Sequence, residues 1–82
     1  VNEIENELNL YPTPTNSLLN VFCSVNIMSY QIINSNGQQV LNKNVAFPSK
    51  FISIDVSPLS KGLYFIVTHH TKGSSIKKFN SL

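Results

Sequence analysis

The chain has 82 residues, with six lysines, no arginine, four acids and a formal charge of +2. That length holds one small domain, burying about 60% of the surface its unfolded chain exposes, with no room for a second core or an interdomain cleft. The lack of arginine argues against a nucleic-acid binder, which forks guanidinium groups onto phosphate and guanine, and no apolar run approaches the ~20 residues of a membrane helix. Polar character comes from Asn and Ser, residues of turns and solvated strand faces, which fits an extracellular β domain better than a cytosolic enzyme.

Residues 1–7 carry Glu3, Glu5 and Glu7 and no turn chemistry, and are expected to end a linker from an upstream domain. The chain starts at Val1, so it is expected to be a piece of a longer protein, with residues 8–82 forming the domain. A short first strand is predicted over 8–11, stopped by Pro12 and Pro14, which cannot donate to a ladder. Residues 18–25 alternate, with Leu19, Val21, Cys23 and Val25 inward, Asn20 and Ser24 outward, and Phe22 as the exception; period two means a half-buried strand.

Strands are predicted next over 28–34 and 38–45, joined at Ser35-Asn36-Gly37, whose Asn-Gly pair tolerates positive φ and tightens a hairpin. Phe47-Pro48-Ser49 is expected to break the chain before a strand over 51–56, with Ile52, Ile54 and Val56 on one face. Pro58 and Gly62 bracket a turn. Residues 63–68 are apolar on both faces, as in a central strand, and Thr71-Lys72-Gly73 turns into a last strand over 75–79. No stretch keeps a 3.6 period. About seven short strands predict an all-β, antiparallel two-sheet sandwich, immunoglobulin-like in outline.

The candidate chemistry is thin. Cys23 is the single cysteine, so no internal disulfide can form, and its inward position predicts a buried, inert thiol. His69 and His70 are adjacent, so in a strand they point to opposite faces and cannot chelate one metal; they are expected to be solvated beside a hairpin. Asp55 has no second carboxylate for acid–base work outside the linker, and an Asp before Ser57-Pro58 accepts backbone N–H groups in a turn. Leu59-x-x-Gly62-x-Tyr64 allows two readings. Either the Tyr64 hydroxyl bonds backbone upstream, as in Greek-key corners, or Tyr64 lies on a half-exposed face. No cofactor site is expected.

Four blocks in order carry a resemblance: Leu10-Tyr11-Pro12-Thr13-Pro14 with Leu19-Asn20-Val21; Ile32-Ile33-Asn34-Ser35-Asn36-Gly37-Gln38-Gln39-Val40-Leu41; Ile54-Asp55-Val56-Ser57-Pro58-Leu59-Ser60-Lys61-Gly62-Leu63-Tyr64-Phe65-Ile66; and Ile76-Lys77-Lys78-Phe79. Together they resemble the type A C-terminal sorting domain of the Bacteroidetes type IX (Por) secretion system, over residues 10–79. The resemblance implies an immunoglobulin-like sandwich that is no enzyme. It also implies an export address that directs an upstream cargo through the periplasm and across the outer membrane, to the cell surface or medium.

The implied partners are the outer-membrane secretion machinery and a sortase-like peptidase that cuts upstream, near residues 1–8. The domain itself is expected to be a monomer. Tyr11, Pro12, Pro14, Asn34, Gly37, Asp55, Leu59, Gly62 and Tyr64 match the family motifs in structural positions. Lys77, Lys78 and Phe79 match the basic–hydrophobic ending that the machinery reads, while Asn80-Ser81-Leu82 departs from the family's usual hydrophobic and basic end. By composition alone, Lys72, Lys77 and Lys78 read as a solvated edge that discourages aggregation. The rival reading is an adhesive or carbohydrate-binding sandwich. Such modules present exposed aromatics, whereas this chain has no Trp and sets most of its Phe and Tyr in strand patterns.

Overall fold

The computed structural model describes residues 8–12, 17–71 and 73–82. The expected linker over 1–7, Pro14 and Lys72 lie outside them. The described residues form β-strands and turns with no helix: β1 (Leu8–Tyr11), β2 (Leu18–Asn34), β3 (Gln39–Asp55), β4 (Gly62–His70) and β5 (Gly73–Ser81). All pairings are antiparallel, and one sheet runs β1-β2-β4-β5, with β3 also paired to β2.

The expected all-β, antiparallel class holds, and in place of about seven short strands the described residues form five, in one curled sheet, a half-barrel. The strands expected at 18–25 and 28–34 are one continuous β2, and those at 38–45 and 51–56 are one continuous β3. The reason is a change of phase inside each long strand. Along β2 the buried positions run Leu19, Val21, Cys23 and Ile27, then move to Tyr30 and Ile32. Along β3 the half-buried positions run Leu41, Val45 and Ser49, and the phase then moves to half-buried Ile52 and buried Ile54. Each strand thus exchanges its inward face midway.

The pairing records the same event. Phe22 pairs with Phe51 and Ser29 with Asn44, and each strand spends six residues between those pairs on an irregular stretch. Extra twist and bending at such irregularities turn a sheet back on itself. The expected break at Phe47-Pro48-Ser49 does not occur, because the strand runs through it. Pro48 is tolerated there because β3 pairs on one side only, and the missing N–H is not needed at an edge.

Two regions result. The entry half contains β1, residues 18–23 of β2, and 51–55 of β3 with Val56 just after it; the tail half contains residues 29–34 of β2, 39–44 of β3, β4 and β5. Both bury side chains in one cluster: Leu8, Leu19, Val21, Cys23, Ile54 and Val56 from the first, Tyr30, Ile32, Tyr64, Ile66 and Phe79 from the second, with Ile27 at the bend. Cys23 is buried and unbridged.

Candidate functional site

The last strand is positioned by an unbroken ladder from Gly62↔Ser81 to His70↔Gly73 along β4. Side chains alternate across such a ladder. Phe79 and Ser81 therefore point into the core and are buried, while Ile76, Lys78 and Asn80 lie on the outer face. The three residues of the predicted basic–hydrophobic ending do not share a face. Phe79 is 1% exposed and its ring stacks on Tyr64, with centroids 5.7 Å apart and planes at 24°. Lys77 shares the inner side with Ile66 but sits at the rim, where its Nζ donates to the Leu8 carbonyl of β1 at 3.0 Å. Lys78 is exposed, with Phe65 opposite it on β4.

Tyr64 connects this strand to the turn before β4. Its hydroxyl donates to the Ser60 carbonyl at 2.7 Å, four residues upstream, which is the corner contact rather than the half-exposed alternative. Gly62 starts β4 at φ +151°, a conformation that L side chains rarely adopt. The same connection contains Asp55. Its Oδ1 accepts the Ser57 hydroxyl at 2.7 Å and the Ser57 N–H at 3.0 Å, and these bonds hold the carboxyl below its ordinary range. Leu59 packs against the core and its N–H donates to the Val56 carbonyl at 2.9 Å.

The β2–β3 hairpin is closed by Asn34. Its Oδ1 accepts the N–H groups of Asn36 and Gln38, each at 2.9 Å, and its Nδ2 donates to Gln38 Oε1 at 3.1 Å. Gly37 supplies φ +85°, and its N–H donates to the Asn34 carbonyl at 3.0 Å. Tyr11 and Pro12 are exposed where β1 ends, joined by a cis peptide. The described motif residues thus shape the β2–β3 hairpin and the β3–β4 connection, and the structure gathers Asp55, Leu59, Gly62, Tyr64 and Phe79 along the second of these and its contact with the tail.

The expectation that both histidines are solvated is corrected. His70 is buried, because even-numbered positions of β4 face inward, and its Nε2 lies 3.2 Å from Ser75 Oγ on β5. His69 is half-buried on the outer face beside Ser29 and Ser74. No group of three or more His, Cys, Asp or Glu that could hold a metal is found among the described residues. Sequence reasoning missed the Tyr64–Phe79 stack, the Lys77–Leu8 contact and the outward row of β5. Alternation through Ile76-Lys77-Lys78-Phe79 was the available signal, since it forbids Lys78 and Phe79 from sharing a face.

No described helix is long and apolar enough to cross a membrane. No curated protein and no solved structure matches the chain. The family model described as the secretion system C-terminal sorting domain matches residues 9–80, nearly all of the chain. The chain belongs to that family: it is a C-terminal sorting signal of type IX secretion, which works through that system's machinery and implies export across the outer membrane.

Proposed function

We propose that this domain is a non-catalytic, monomeric export address whose cargo lies upstream, joined to it through residues 1–7. A sortase-like peptidase cuts near that linker, and residues 8–82 are the sorting domain. The bends in β2 and β3 support reading the curled sheet as an immunoglobulin-like sandwich in which the two halves serve as layers. The machinery reads the terminal strand carrying Lys77, Lys78 and Phe79. One observation carries this reading: among the described residues β5 ends the sheet and is laddered to β4 alone, so the outer backbone edge beyond its Lys77–Leu8 contact with β1 can meet a partner while the core stays closed. Phe79 contributes by holding the strand in place.

The test is a reporter bearing a signal peptide and this domain, expressed in a host with type IX machinery. It is expected outside the outer membrane, and removal of residues 77–82 is expected to trap it in the periplasm. Because that deletion also removes Phe79, the paired change Lys77→Gln and Lys78→Gln is the gentler arm: exposed Lys78 should cost within about 0.5 kcal/mol, and loss of the Lys77 bond to Leu8 adds about 0.5–1.5 kcal/mol. Normal secretion of a folded deletion would place recognition elsewhere on the domain.

A further inference from the structure

We propose that the machinery reads a face crossing three strands, made by Ile76 and Lys78 of β5, Leu63, Phe65 and Val67 of β4, and Ile33 of β2. The partner surface we infer is apolar and carries a carboxylate placed for Lys78. This rests on the reading of the domain as an export address.

The ladders assemble the face. Phe65 lies between Ile33 and Lys78, and Val67 between Gln31 and Ile76. All point away from the core, because the alternate positions Tyr64, Ile66 and Phe79 point into it. An antiparallel sheet with one solvated side normally shows polar residues there. Here the central strand is apolar on both sides, and Ile76 and Leu63 remain 63% and 38% exposed. Contiguous apolar patches of this kind mark interaction sites.

Charge narrows the occupant. Among the described residues of this face, Lys78 alone carries a permanent charge, set against Phe65, and the rest are apolar side chains, Gln, Asn, Ser and His69. A carboxylate ringed by apolar surface complements that arrangement and gives it specificity. A second copy fits less well, because an isologous pairing of this face sets like charges against each other. The location also favours the machinery, since the face includes the outward row of the strand that ends the domain.

The experiment uses the reporter described above and the purified chain. Lys78→Glu and Ile76→Asn are each expected to lower secretion by at least about tenfold, since a reversed charge or a buried amide opposes docking. Lys78→Arg should retain it. Phe22→Ser, on the outer face of the entry half, should be secreted like the wild type. Every purified variant is expected to melt within a few degrees of the wild type. Undiminished secretion of both face variants overturns the inference while the wild-type reporter still upholds the export reading. Loss of a concentration-dependent dimer in those variants, with secretion intact, assigns the face to self-association and also overturns it. Export lost only together with folding in both variants makes the face a packing element instead. A wild-type reporter that stays inside the cell overturns the export reading, and this inference with it.

Discussion

In the entry half, the inward row of β2 is Leu19, Val21 and Cys23, answered by Ile52 and Ile54 of β3, with Val56 just beyond. In the tail half, Tyr30, Ile32, Tyr64 and Ile66 continue the core, but the row under β5 turns polar at Thr68, His70 and Ser75. Ser81 is buried at the other end of β5, leaving Phe79 as that strand's one large inward apolar side chain. The entry half is thus held by a continuous apolar seam. The last strand is held by its backbone ladder, one stacked ring, the His70–Ser75 contact and the rim contact of Lys77. Dispersion and burial are distributed in the first case and concentrated in the second. A strand attached this way is ordered within the sheet while Ile76, Lys78 and Asn80 stay exposed on its outer face.

The largest expected effect breaks that concentration. Phe79→Ala should cost about 3–5 kcal/mol, a loss large enough to unfold much of a small domain. Leu19→Ala, at an equally buried site in the entry half, should cost about 2–5 kcal/mol. The distinction lies in where protection fails. In Phe79→Ala, amide exchange should rise first along Gly73–Ser81, because one ring anchors that strand; in Leu19→Ala it should rise throughout. Uniform loss in both variants would remove the contrast between the halves.

A smaller effect is expected at the corner leading into the tail half. A Cβ built on Gly62 meets nothing within 4 Å, so the cost of a side chain there is backbone strain at φ +151°. Gly62→Val should destabilise by about 1–3 kcal/mol in urea unfolding. Gly62→Ala should lose nearly as much, since the strain begins with the first carbon. Smaller again is Tyr64→Phe, which removes the bond to Ser60 and keeps the ring on Phe79. Its expected cost is about 1 kcal/mol. A much larger loss would mean that the corner, more than the stack, secures β4.

These sites differ in how far the sequence discloses them. Pairing within a strand and turn chemistry are local, so Leu19, Val21 and Cys23, the Asn34–Gly37 hairpin and the Asp55–Ser57 turn are readable from spacing alone. The merger of strands across residues 26–28 and 46–50 is not. A one-residue change of phase looks like the end of an alternation, and Pro48 looks like a breaker until its place on an edge is known. The outer face is half legible. Two-sided apolarity marks residues 63–67 as central, but the setting of Phe65 between Ile33 and Lys78 depends on registers that no local pattern specifies. The family-like ending groups Phe79 with both lysines, whereas the pleat puts Lys78 on the opposite face from Phe79 and Lys77.

The smallest expected effect belongs to Asp55, which closes the entry half and is the only acid among the described residues. The Ser57 hydroxyl and then the Ser57 N–H favour its charged form, and they act on a carboxyl fully open to solvent. Its folded-state value lies below that of the unfolded chain, about 3.9. The linkage sign follows: the unfolded state binds the proton more readily, so the turn's contribution is fully present above the unfolded value. It is lost as pH falls through the lowered folded value. Melting temperatures of the wild type and Asp55→Ala should therefore differ by a constant amount well above the unfolded value and converge as pH falls through the lowered folded value. Screening by water keeps that difference small. A gap that stays constant down to the lowest pH would show that the carboxylate does not hold the turn. A gap that closes while Phe79→Ala keeps its full deficit at every pH would confirm that turn charge and tail packing stabilise the two halves independently.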